Sequence, residues 1–442
     1  MALPNHWSVF NLKSTPFFQD TLRPGDERFP VELLFVARAD EASRILKVIG
    51  SAESSRQAVP GEPGLGKTSL VQYVKSRATE EGYVAAPDPV SLMAEDTADR
   101  LLARLQRYVY EAFLLTPLTA GMAETEPMRQ ARQLVNAYRT SAAGGSLQYA
   151  GFGLGGQLGT AFHEGPFLAP AAVVPRLLAV LVETARKRHG EKFRGVVVHF
   201  DNLENLSEAD AEKAGQVLRD LRDVLLIDGY HTLFVGTPDA IKAAIQHHAQ
   251  LRGVFHQAEA VRPLTLEDVH ALLRARYRHY RLNPDAEVRE PITLDALAEM
   301  HGLFRGDLRG MLLACDQAAA EIVGFMGEDP ATPMSAAAIR SVLAGRYRRE
   351  MRERLGEASG GYLERLASWQ DRPFSQKQLE EEWKVSQGFV SRLLKEFQAF
   401  GYVRVHAERD AARRNQYFLA GPGRLLLGAG PAAGASAPPG PR

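Results

Sequence analysis

The sequence predicts an α/β protein with a parallel-sheet core, followed by an all-helical segment and then a small helix-turn-helix module with a strand wing. Three observations predict it. The stretch GEPGLGKTSL, Gly61 to Leu70, is a glycine-rich loop that runs directly into a helical pattern. Two apolar, β-branched runs, VVVHF (Val196 to Phe200) and HTLFVGT (ending at Thr237), alternate with helix-patterned text, as buried parallel strands do. Beyond Arg262 the strand signals stop, and PLTLEDVHALLRARYRHYR, ITLDALAEMHGLF, GDLRGMLLACDQAAAEIVGF and SAAAIRSVLAGRYRREMRERL all read as helices.

Length and composition bound the function classes. A chain of 442 residues exceeds one compact core and fits two or three domains, and an apolar fraction of 45% is enough to bury them. Lys plus Arg equals Asp plus Glu at 53 each, so any basic surface for a polyanion must be local. Cys315 is the one cysteine, which excludes an internal disulfide framework and a cysteine-rich zinc site and points to a reducing cytoplasm. The start, MALPNHWSVFNLKSTPFF, lacks a basic segment followed by a long apolar core, and no apolar run reaches spanning length. A cytoplasmic protein without a membrane partner is expected.

The elements follow in order. ELLFVARADEASRILKVIG reads as a short apolar stretch and a helix leading to the loop. The lead-in SSRQAVP is polar for a buried strand, and Pro60 cannot donate to a ladder, so this strand is expected to be short and to stop near Val59. Leu70, Val71, Val74 and Lys75 then recur at helical spacing. Helical text continues from Asp96 to about Arg139 and from Ala171 to about Arg188, and ADAEKAGQVLRDLRDVLL separates the two strands.

Gly61, Gly66, Lys67 and Thr68 match G-x-x-x-x-G-K-S/T, so Gly61, Glu62, Pro63, Gly64, Leu65, Gly66, Lys67, Thr68 and Ser69 are the candidate phosphate cradle for ATP. The glycines let backbone N–H groups turn inward, and the helix start adds a favourable dipole. Lys67 is expected on the β and γ phosphates and Thr68 on Mg²⁺, with Pro63 stiffening the loop. Magnesium also needs a carboxylate at the end of a neighbouring strand, and VVVHFDNLENL supplies Asp201. Hydrolysis needs a polarised water. Asn202 follows Asp201 directly and Glu204 lies two residues on, so binding is better supported than turnover. Thr237 either contacts the γ-phosphate or its attacking water, or closes the strand before Pro238.

Taken in order, the loop, the DN after an apolar strand, Thr237 on the next strand and GDLR in a helical unit resemble an AAA+ P-loop ATPase of the origin-recognition initiator type. The resemblance implies an ATPase core over residues 1–262, a helical lid over 263–355, a winged-helix domain over 356–424 and a disordered Gly/Ala/Pro tail over 425–442. It also implies that Arg309, in Gly306-Asp307-Leu308-Arg309, senses the γ-phosphate. FVAR, Phe35 to Arg38, resembles the family's adenine-side Gly-Arg box, with Ala37 replacing the glycine. An intersubunit arginine finger implies a homo-oligomer or a partner ATPase; Arg252 matches its place before the lid, and Arg262 is the alternative. In the family a glutamate directly follows the strand aspartate, and here Asn202 takes that place.

Gly151, Gly153 and Gly156 satisfy G-x-G-x-x-G, but no buried strand precedes them and no helix follows directly. LQYAGFGLGGQLGTAF alternates around Gly155-Gly156 and reads as a hairpin insertion near residues 145–165, either a contact element for DNA or a partner, or a flap over the sheet edge.

In PFSQKQLEEEWKVSQGFVSRLLKEFQAFGYVRVHAERDAARRNQYFLAG, Ser375 and Gln378 form a capping box and Ser386 is expected to cap a second helix. That helix carries an apolar stripe of Phe389, Val390, Leu393, Leu394, Phe397 and Phe400, ends at Gly401, and is followed by two strand-like pieces. The segment resembles a winged-helix domain. Gln387, Gly388, Ser391, Arg392 and Lys395 face outward, suited to the major groove of double-stranded DNA, and Arg404, Arg409, Arg413 and Arg414 on the wing suit its phosphates. Glu380, Glu381 and Glu382 leave a protein-docking face as the other reading. Two functions follow: an ATP-controlled DNA-binding protein, or a nucleotide-switched signalling or scaffold ATPase of a defence or mobile-element type whose winged helix binds a protein.

Overall fold

The structure, a computed structural model, describes residues 5–144, 170–323, 332–369, 372–405 and 415–428. The chain divides into two compact units, Thr21–Val261 and Met1–Asp20 with Arg262–Arg442.

The first unit is built on a five-stranded parallel sheet of β1 (Ser55–Pro60), β2 (Tyr83–Val84), β3 (Val90–Ser91), β4 (Gly195–Asp201) and β5 (Tyr230–Gly236). Its order is β1-β5-β4-β2, and β3 pairs with the C-terminal end of β4. Both faces are covered. Val196, Val198 and Phe200 of β4 and Phe234 of β5 join a core with the helices Ala98–Leu115, Pro170–His189 and Glu208–Asp220. Val197, Leu233 and Val235 point the other way, into a core with the helices Ala39–Ser51 and Lys67–Glu80. This two-sided burial is why the strands read as continuous apolar runs.

The polar lead-in is a full buried strand. β1 extends through Pro60, paired with Gly236, rather than stopping at Val59. Its polar side chains are each bonded inside the fold: Ser55 Oγ lies 2.9 Å from His231 Nδ1, Arg56 Nε donates to the Val254 carbonyl at 3.0 Å, and Gln57 Nε2 donates to the Ile45 carbonyl at 3.3 Å. Burial of polar groups is tolerated when they are paired in this way. On the far side of β1, the amides of His256, Glu259 and Val261 donate to the carbonyls of Arg56, Ala58 and Pro60, so an irregular segment covers that sheet edge. Pro60 needs no N–H there, because it contributes its carbonyl.

The second unit contains the helices Leu266–His279, Leu294–Phe304, Leu308–Ile322 and Ala336–Arg365. Thr265 and Asp268 form a capping box on the first of these. The leader, expected within the ATPase core, belongs here. Buried Arg276 donates to the carbonyls of Pro16 and Phe18, each at 2.9 Å, and its guanidinium lies 3.7 Å from the centre of the Phe18 ring. Asn11 donates to the carbonyls of Asn283 and Ala286 at 3.0 and 2.9 Å. The leader's carbonyls thus partner one end of a buried guanidinium that sequence periodicity could not reveal.

Gly356, at φ 71° and ψ 173°, interrupts the long Ala336–Arg365 helix. β6 (Phe374–Ser375), the helices Gln376–Trp383 and Gln387–Ala399, β7 (Val403–Val405) and β8 (Gln416–Leu419) follow, and the three strands form a sheet in the order β6-β8-β7. The fold is the predicted one: a parallel sheet with the glycine loop at its strand ends, an all-helical segment and a winged helix-turn-helix. The tail boundary is corrected. Leu425 and Leu426 are buried within a further helix, Gly421–Gly428, which packs on the Ala336–Arg365 helix. Its GPGRLLLG text is too short and glycine-rich to show helical periodicity.

Candidate functional site: a phosphate loop at the strand ends

The loop Gly61 to Gly66 connects β1 to the Lys67–Glu80 helix, at the C-terminal edge of the sheet where α/β folds place ligands. Gly64 and Gly66 adopt φ of 84° and 86°, left-handed conformations that disfavour side chains. Gly61 sits at a close approach: a Cβ there would lie 3.1 Å from Val261 Cβ and 3.2 Å from Lys67 Cδ, so these neighbours would have to give by a few tenths of an ångström. Pro63 is exposed, Leu65 is buried, and Thr68 and Ser69 in the first helical turn are half-buried.

Lys67 is buried, and its ammonium donates to the Glu62 carbonyl at 3.0 Å and pairs with Glu204 Oε2 at 2.6 Å. The Thr68 hydroxyl donates to Asp201 Oδ2 at 3.4 Å. Register brings Thr237 alongside: Pro60 pairs with Gly236, and the Gly61 amide donates to the Gly236 carbonyl at 3.0 Å. Thr237 Oγ1 accepts the Ala240 amide at 3.2 Å, capping the short helix Pro238–Ile241. Thr237 is therefore a strand-end cap at a position beside the loop.

Burial pushes the Asp201 carboxyl above its ordinary range, and Glu204 adds to this; the Asn202 amide bond, Lys67 and Thr68 act in the opposite direction. A cation at this point would relieve the desolvated charge. Thr68 and Asp201 present converging oxygens, and no cluster of three or more His, Cys, Asp or Glu side chains suited to a metal occurs among the described residues. The residues fit Mg²⁺, which binds through few protein oxygens and completes its shell with phosphate and water.

The Asn202 side chain is held by bonds within the fold. At φ 80° it turns the chain, its amide donates to Asp201 Oδ1 at 2.7 Å, and its carboxamide donates to the Leu92 carbonyl at 2.8 Å and accepts from Asn205. Glu204 is the carboxylate that reaches the loop lysine.

Arg38, buried, donates to the Leu65 carbonyl at 2.9 Å and pairs with Glu41 at 3.3 Å, so it braces the loop from outside. Ala37 beside it stands at φ 70°. This explains the glycine of the resembled box, since the position requires a left-handed backbone. Phe35 stacks on Tyr73 at 4.3 Å, an aromatic pair next to Arg38 that the sequence reading did not single out. Lys75 was also missed as a chemical group: its inward helical position was visible, and the structure buries its ammonium with a bond to the Pro87 carbonyl at 2.9 Å.

Arg252 is exposed at the end of the short helix Ala249–Arg252, and Arg262 is exposed. Arg309 is exposed in the first turn of the Leu308–Ile322 helix, in the other unit from the loop. A cation there opposes the helix dipole, so helix stability does not account for it.

In the winged helix, the Ser375–Gln378 capping box is present, while Ser386 occupies the N-cap without a side-chain bond. Val390, Leu393, Leu394 and Phe397 are buried; Phe389 and Phe400 are half-buried. Gln387, Gly388, Arg392 and Lys395 are exposed and Ser391 half-exposed, so the outward face carries the predicted polar and basic set. The Arg392 guanidinium lies 5.0 Å from the centre of the Phe389 ring. Arg404 of β7 is half-exposed and donates to Asp307 of the helical segment at 2.5 Å, a partner that its place on the wing did not suggest. Arg409, Arg413 and Arg414, and the hairpin insertion near 145–165, lie outside the described residues.

Fold and site together define an α/β unit with a glycine loop of P-loop spacing at its strand ends, joined in the chain to an all-helical segment and a winged helix-turn-helix. No protein-family model and no curated protein matches the chain. Among solved structures it is similar to the ORC1 protein of Aeropyrum pernix in complex with DNA (17% identity, 90% of this chain and 93% of that one, TM-score 0.41). It is also similar to the ORC2 protein of the same organism in its ADPNP–ADP complexes (13%, 93% and 95%, TM-score 0.46) and to Cdc6p from Pyrobaculum aerophilum (14%, 93% and 95%, TM-score 0.43). No helix of the described residues is long and apolar enough to cross a membrane.

Proposed function

We propose that this chain binds ATP with Mg²⁺ and uses nucleotide state to control binding of double-stranded DNA through its winged helix, as an AAA+ protein of the initiator type. The observation that carries the reading is the meeting of Lys67, Thr68, Asp201 and Glu204 at the ends of β1 and β4, with Thr237 in register beside them. Lys67 holds the β and γ phosphates, Thr68 and Asp201 hold the metal, and Arg309 reads the γ-phosphate from the lid. Arg38 supports the adenine side, and Arg252 serves a neighbouring subunit. The basic outward face of Gln387–Ala399 supports a DNA output. The test is duplex DNA affinity with and without ATP, for wild type and Lys67→Ala, at several salt concentrations; equal affinities throughout remove the reading.

The second reading, a slow nucleotide switch with a protein partner, is favoured by the Asn202 side chain being tied to Leu92 and Asn205. It predicts ATP binding with very slow turnover and no loss of partner binding when the recognition-helix cations are removed.

A further inference from the structure

Asp307 has two partners. Its Oδ1 accepts the Gly310 amide at 3.0 Å and so caps the Leu308–Ile322 helix, whose second residue is Arg309. Its Oδ2 accepts Arg404 Nη2 at 2.5 Å, from β7 of the winged helix. The carboxylate is 8% exposed and the guanidinium 38%, so the pair is partly shielded from solvent. The chain enters this cap through two left-handed residues, Arg305 at φ 45° and Gly306 at φ 91°, with the Asp307 amide bonded to the Phe304 carbonyl. Phe304, at the other end of this four-residue turn, packs against Gly421 so tightly that a Cβ on Gly421 would lie 2.4 Å from its ring. The turn that presents Arg309 is thus held at both ends by the winged helix, by Arg404 at Asp307 and by Gly421 at Phe304.

We propose that Arg404 is a positioning residue for Arg309: it locks the lid turn to the winged helix, so that displacement of the winged helix by DNA moves the γ-phosphate-sensing arginine, and the reverse. This rests on the nucleotide reading above for Arg309. A rigid link of this kind makes the two ligands energetically coupled, and equilibrium coupling is reciprocal. An ion pair that only stabilised the unit would leave the coupling intact when removed.

Two measurements on the full chain test it, using Arg404→Ala, Arg404→Lys and Asp307→Asn, the last retaining a good N-cap while removing the charge. The first is hydrogen exchange at the Gly310 amide, which needs no ligand. It should quicken about tenfold in R404A and recover most of its protection in R404K, because breaking the pair frees the cap to open locally. The second is the affinity for mant-ATP with and without a random-sequence 20-base-pair duplex. The duplex should change it about tenfold in wild type, within the usual range of coupling, and less than twofold in R404A and D307N. Unchanged Gly310 exchange in R404A, or full coupling in both variants, overturns the inference. A wild-type chain that binds neither mant-ATP nor the duplex sinks the proposed function instead. One that binds both without coupling overturns the inference and leaves the two binding activities standing.

Discussion

Lys67 Nζ lies 2.6 Å from Glu204 Oε2, so the lysine of the phosphate loop is already neutralised by a carboxylate two residues past Asn202. An incoming nucleotide must displace this carboxylate from Lys67 or share the lysine with it. Glu204→Gln should therefore tighten binding of a non-hydrolysable ATP analogue by about fivefold, a partly exposed pair being worth about 1 kcal/mol, while slowing any ATP turnover. Isothermal titration checks the first part; weaker binding in Glu204→Gln would mean that the carboxylate supports the ligand rather than competing with it.

Ala37 is held at φ 70°. A left-handed backbone costs an alanine roughly 1–2 kcal/mol, partly offset by the larger unfolded-state entropy of glycine. Ala37→Gly should raise stability by about 1 kcal/mol, read as a higher urea midpoint with an unchanged slope. A lower midpoint would show that the backbone relaxes at no cost.

Lys75 is 2% exposed, and burial lowers its pKa from 10.5 to about 7. Between those values the unfolded chain holds the proton and the folded chain does not, so this group makes stability rise with pH across the window. The penalty is fully present below pH 7 and fades towards 10.5. Lys75→Met should accordingly stabilise the protein by a few kcal/mol, on the order of the shift, and by more at pH 6 than at pH 9. Thermal melts at the two pH values check this, and an equal effect at both would place the lysine's proton elsewhere.

Arg392 and Lys395 lie exposed on the outward face of the second winged-helix helix. If that face meets DNA phosphates, Arg392→Ala with Lys395→Ala should weaken duplex binding at least tenfold and lower the slope of log affinity against log salt by about two. An unchanged slope would favour a protein partner for this surface.

Most of the architecture was legible because it rests on local signals. VVVHF and HTLFVGT are long apolar runs buried on both faces, and the G-x-x-x-x-G-K-S/T spacing of the loop is a pattern of near neighbours. The same holds for the Ser375–Gln378 box and the outward set Gln387, Arg392 and Lys395. What escaped reading depends on partners distant in the chain. Ser55, Arg56 and Gln57 look unlike a buried strand until His231, Val254 and Ile45 are brought to them. The leader looks like part of the core until Arg276 reaches its carbonyls.

The order of the parts, the G-x-x-x-x-G-K-S/T spacing of the loop and the strand-end position of Asp201 are legible along the chain, because glycine conformation, helix spacing and strand burial are properties of neighbouring residues. Which charges meet depends on the folded chain. It paired Lys67 with Glu204 rather than leaving it free, tied Asn202 to Leu92, and turned Arg404 from the wing onto Asp307. Electrostatic partners are chosen by distance and desolvation across the folded chain, and neither is written in the spacing of residues along it.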